Sequence, residues 1–173
     1  MTGRSRRPTE TIEFGPADVS GVVDRMDRLA AAGDGWVNFL PGMPEGEAEQ
    51  PSRGFLGALF SATQAPASMA TWMPAGGARR STASGSEQTV GLLHPRGRAA
   101  VARLASAGVA VPAGWRVGQD HARRGLIVHP PSGAPPGDVV SWTLRAGEAL
   151  AAGPLTGRWQ ARVYLPLSRS TTS

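Results

Sequence analysis

Residues 89–108 read Thr-Val-Gly-Leu-Leu-His-Pro-Arg-Gly-Arg-Ala-Ala-Val-Ala-Arg-Leu-Ala-Ser-Ala-Gly, and the parsing of this stretch decides the fold. Val90 to Leu93 is a short apolar run suited to a central strand. His94-Pro95 follows, with proline at the first helical position, where its missing N–H costs nothing. Val101, Leu104 and Ala105 then repeat at helical spacing as a buried stripe, and Gly108 ends the helix.

Downstream, residues 115–120 and 125–129 bracket a short polar turn and predict a hairpin. Pro135-Pro136-Gly137-Asp138 starts a second helix with Val140 and Leu144 on one face, closed by Gly153-Pro154. Residues 158–165 alternate as a last strand, with Trp159, Ala161, Val163 and Leu165 on one face and Arg158, Gln160, Arg162 and Tyr164 on the other. The order β-α-β-β-α-β predicts an α+β class and a ferredoxin-like unit over 89–166, with two helices on one face of an antiparallel sheet. That fold hosts unrelated functions and names none of them.

Upstream, Thr11 to Phe14 predicts a strand. A helix follows, on which Val19, Val22, Val23, Met26 and Leu29 form the stripe and Gly33 the stop. Trp36 to Leu40 and Met69 to Met73 read as strands, with an acidic, breaker-rich loop over 41–53 between them. The block Phe55-Leu56-Gly57-Ala58-Leu59-Phe60 admits three readings: core, aromatic lid or docking patch. Residues 75–88 have linker composition. The expected organisation is a tail over 1–10, a smaller α/β part over 11–74, a flexible linker or loop over 75–88, the ferredoxin-like unit over 89–166 and a tail over 167–173. An offset of 78 residues aligns Thr11, Val23 and Arg25 with Thr89, Val101 and Arg103, so the first part is a candidate degenerate repeat of the second.

Composition narrows the function classes. The chain has no cysteine, which excludes disulfides, thiolate metal sites and a cysteine nucleophile. It has no apolar run of membrane-spanning length, and its first ten residues lack a signal peptide's apolar core, so a cytoplasmic protein without membrane partners is expected. Every one of the 18 basic residues is arginine. With abundant Gly, Pro and Ala, this resembles the codon usage of a high-GC bacterium. Codon usage does not explain the distribution of charge: residues 1–87 hold 8 Arg and 10 acids, net −2, whereas 88–173 hold 10 Arg and 3 acids, net +7. Such opposition suits mutual attraction of the halves or an anionic partner for the second.

Two surfaces are candidates. At one sheet edge the topology gathers His94, Arg96, Arg98, His121, Arg123 and Arg124 beside a helix start, an arrangement suited to an anion. The plainer reading makes these a cap, a turn and solvated arginines. On the predicted helix-free sheet face, Arg116, Arg158, Gln160, Arg162 and Tyr164 form a basic polar surface. RNA-recognition domains use that face, but the stacking aromatics of their first and third strands are missing here. Coverage of the face by the first half, or by a second copy, competes with nucleic acid. No histidine pair has metal-ligand spacing, no Gly-x-Ser-x-Gly elbow backs Asp120-His121, and no glycine-rich stretch has phosphate-binding spacing, so neither metal nor cofactor is expected. Arg6-Arg7-Pro8-Thr9 and Arg79-Arg80-Ser81-Thr82 resemble basophilic kinase sites. The leading expectation is a non-enzymatic interaction or regulatory protein whose partner is another protein or a second copy. An arginine-mediated binder of nucleic acid or an anionic ligand, and an enzyme acting on an anionic metabolite near His94, are the alternatives.

Overall fold

The computed structural model describes residues 8–44, 68–76 and 87–165. Its elements run β1 (Glu10–Phe14), α1 (Ser20–Ala32), β2 (Trp36–Pro41), β3 (Met69–Met73), β4 (Thr89–Leu93), α2 (Ala100–Ser106), β5 (Arg116–His121), β6 (Gly125–His129), α3 (Pro136–Leu150) and β7 (Trp159–Tyr164). All strand pairs are antiparallel, in one seven-stranded sheet of order β1-β7-β2-β3-β4-β6-β5. The class is mixed α+β. Among the described residues, no helix is long and apolar enough to cross a membrane.

Register explains the core. One inner row crosses the sheet as Val163, Val37, Trp72, Val90 and Val128, and the next as Ala161, Phe39, Ala70, Leu92 and Leu126. Each of these side chains is at most 1% exposed, and all join one cluster with Val22, Met26 and Leu29 of α1, Leu104 of α2 and the buried side of α3. The helices therefore share one face of the sheet, with α3 packed between α1 and α2. The first row begins at Glu10, whose carboxylate accepts two hydrogen bonds from Arg25 of α1 at 2.5 and 2.9 Å. That guanidinium holds the Glu10 carboxyl below its ordinary range. The second row ends at Asp120, considered below.

Several expectations are corrected. A ferredoxin-like order over 89–166 would set the last strand beside the first, but β2 and β3 lie between β7 and β4. The strands of the two halves interleave, and the described first half lies in the sheet and its helix layer rather than across the opposite face. Helix α2 starts at Ala100, not at Pro95, because residues 96–99 turn through two left-handed positions, Gly97 (φ 74°) and Ala99 (φ 63°). The last strand is shorter than expected: Arg158 precedes it and Leu165, 45% exposed, follows it. Gln88, at the expected linker's end, is buried. The block 55–60, most of the linker, residues 79–82 and both tail ends lie outside the described residues.

Candidate functional site

The residues of the expected anion site divide between core and surface: His94 is buried, while Arg96, Arg98, His121, Arg123 and Arg124 are exposed. His94 points into the inner face, is 2% exposed, and neither ring nitrogen has a hydrogen-bond partner among the described residues. The amides that open α2 are already taken: Ala100 N donates to Asp120 Oδ1 and Val101 N to Asp120 Oδ2, both at 3.1 Å. An acid from a distant strand thus supplies the anion that the helix start requires. Arg96 donates from Nε to the Ala151 carbonyl at 2.9 Å, the Arg98 carbonyl accepts from Arg103 Nε at 3.4 Å, and His121 Nδ1 accepts from the Arg123 and Arg124 amides at 3.1 and 3.3 Å. His121 therefore shapes its own turn. Asp120→Ala should cost about 1 kcal/mol, the usual worth of such a cap. Urea denaturation checks the cost, and amide exchange should show Ala100 and Val101 losing protection first.

The face away from the described helices is less uniform than its alternation promised. Gln160 accepts from Arg162 Nε at 2.7 Å, while Tyr164 is 9% exposed and stacks on Trp36 across β2 and β7, with ring centroids 4.7 Å apart and planes at 9°. Trp36 is the member the sequence reading missed, although its strand had been assigned. Thr71 donates to Asn38 at 2.8 Å in the middle of the same face. Arg116 lies on the edge strand β5 and pairs with Glu87, which lowers the Glu87 pKa. The five expected residues do not form one open basic surface.

A preformed groove of about 450 Å³ lies instead at the start of α3, between the turns over 112–115 and 131–135. Its floor is aromatic. Trp142, held by donation from Nε1 to the Ala110 carbonyl at 3.1 Å, meets the half-buried Trp115 edge-to-face at 5.1 Å. Both rims are fixed by prolines and closed turns: Trp115 N donates to the Pro112 carbonyl and Ala134 N to the Pro131 carbonyl. Gln88 ties the second rim down, since its Nε2 lies within 3.3 Å of the carbonyls of Pro131, Ser132 and Ala134. Exposed Asp138 and Arg145 line the groove from α3, and neither forms an ion pair with a described residue. The signal that could have found the site was the pair of tryptophans flanked by Pro112, Pro131 and Pro135. Among the described residues, no group of three or more His, Asp or Glu could hold a metal ion. No family model, curated protein or solved structure matches this chain.

Proposed function

We propose that the chain is a non-enzymatic interaction protein that docks an extended, proline-bearing segment of a partner protein in the Trp115–Trp142 groove. The observation that carries this reading is a groove lined by Trp115 and Trp142 and bordered by Asp138 and Arg145, opposite charges that form no ion pair with a described residue. Proline-rich segments arrive already extended and lose little entropy on binding, and aromatic-lined grooves are their usual receptors. Asp138 and Arg145 lie seven residues apart on α3, about 10.5 Å along the axis at 1.5 Å per residue. A polyproline helix returns to the same face every third residue, after about 9.3 Å. The fitting segment carries a basic residue opposite Asp138 and an acidic one three positions away.

Titrating the protein with synthetic peptides of that pattern should shift tryptophan emission. Trp115→Ala should weaken binding at least tenfold, about 1.4 kcal/mol, in a chain that is less stable but still unfolds cooperatively. Charge reversal at Asp138 should select peptides with the basic position reversed. A chain that binds none of these peptides does not have this function; self-association through the groove, seen by sedimentation, would assign its occupant to a second copy.

The arginine-mediated alternative keeps one observation: Arg98, Arg103, Arg123 and Arg124 are exposed around α2 and the β5–β6 turn without an acidic partner among the described residues. Gel shift with nonspecific DNA and RNA tests it, and no binding at low salt rejects it. In the enzyme reading the His94 ring itself is buried, and the exposed groups beside it are Arg96 and Arg98. A degenerate duplication of a ferredoxin-like split β-α-β also belongs to this proposal. Its support is that β1 and β2 flank β7 as β4 and β5 flank β6, in step with the 78-residue echo. The arginine-only composition supports a bacterial origin.

A further inference from the structure

Four buried polar side-chain atoms lack a partner among the described residues: Ser68 Oγ, both ring nitrogens of His94, and Trp159 Nε1. Their places in the sheet are related. Phe14 pairs with Trp159 and Trp159 with Pro41. Continuing the β2–β3 and β3–β4 registers past their last pairs sets Pro41 against Ser68 and Ser68 against His94. All four atoms therefore belong to one inner row, at the end of the sheet where β4 leaves for α2. Buried polar atoms are almost always paired, so a row of orphans calls for an explanation.

We propose that His94 is an acid-sensitive latch, whose protonation releases the 95–99 crossing and α2 from the end of the sheet while the sheet itself holds. An imidazolium at this position faces the Ser68 hydroxyl across the β3–β4 register and has no hydrogen-bond partner among the described residues, and burial of an unpaired charge is costly. Two charged groups act on the ring from neighbouring elements: Asp120 of β5 and Arg103 of α2. Asp120 is already committed to the first amides of α2. Drawing it to the charged ring uncaps the helix, and leaving it in place leaves the ring unpaired. Arg103 repels the new charge from the helix itself. Each course favours release.

The release is local because α2 buries the fewest residues of the described helices. It buries Ala100 and Leu104, against three residues of α1 and eight of α3. Letting it go also relaxes Ala99 from its left-handed backbone. Burial lowers the His94 pKa below the ordinary 6.5, with Arg103 acting in the same sense and Asp120 against it. For a group whose folded pKa is depressed in this way, stability is intact above pH 6.5. It is lost as pH falls below that value, and the open population rises tenfold per pH unit until the closed form itself titrates.

Hydrogen exchange on the full chain from pH 7.5 to 5 tests the latch. After division by the intrinsic rate, protection of the Ala100 and Val101 amides should fall tenfold per unit below pH 6.5, while β3 and β4 amides keep theirs. His94→Gln should remove that pH dependence. Flat protection in the wild type, the same slope in the variant, or loss of β4 protection in step with α2 overturns the proposal. Should the variant not fold, the wild-type ring decides by NMR: a ring titrating at the ordinary histidine value in the folded chain overturns it.

Discussion

Gly125→Ala is expected to cost at least about 3 kcal/mol, or to prevent folding, measured as the urea midpoint against wild type. Gly125 is buried at the start of β6 with φ +77°, where an L side chain loses about 1–2 kcal/mol. Steric overlap adds the larger share. A Cβ there would run into the Leu92 carbonyl oxygen and stand 3.0 Å from its carbon and 3.3 Å from Leu93 Cα. All of these are backbone atoms of the central strand β4, so no rotamer change relieves the overlap. Strand β6 would have to move away from β4 at the Leu92–Leu126 pair, which breaks ladder bonds worth about 1 kcal/mol each and opens both inner rows.

Gln88 should tolerate change almost as poorly. Its Oε1 accepts from Trp72 Nε1 at 2.9 Å, and Trp72 is wholly buried. Gln88→Ala leaves that indole N–H without an acceptor and cuts the tie to the 131–134 turn, for an expected loss of about 2–4 kcal/mol. Gln88→Glu should be worse than alanine, because a carboxylate cannot donate and would face three carbonyl oxygens. The order wild type, Ala, Glu in thermal denaturation checks the assignment. A structure in which Gln88 served only as spacer would give the two variants similar losses. Both should also weaken peptide binding in the groove, since Pro131 and Ala134 line it.

Local structure was legible wherever one face is buried. The 2-residue period of β7 put Trp159, Ala161 and Val163 inside, and the helical stripe of α1 put Val22, Met26 and Leu29 inside; the same residues are buried in the structure. Strand neighbours were not legible. No local pattern states that β2 and β3 separate β7 from β4, because that choice is made between residues more than a hundred positions apart. The Asp120 cap was hidden for a different reason. The β5–β6 register shifts between Val117 and Gln119, so Gly118 is an extra residue and Asp120 faces inward, where strict alternation would turn it outward. A Cβ at 118 would sit 2.5 Å from His129 Nε2, so any other residue there requires the histidine ring to shift. The groove was missed because Trp115 and Trp142 belong to different elements and only the tertiary fold brings them together.

The interleaved sheet has a consequence for synthesis. Strand β7, near the end of the chain, is the piece that joins β1 to β2, so the first β-α-β segment emerges from the ribosome with a gap in its middle. From Pro41 to Trp159 is 118 residues. At about 5–20 residues per second that gap lasts roughly 6–24 s, during which the facing edges of β1 and β2 are unpaired. Until β7 is made, β1 and β2 lack the strand that pairs with both, and open strand edges invite pairing with another chain.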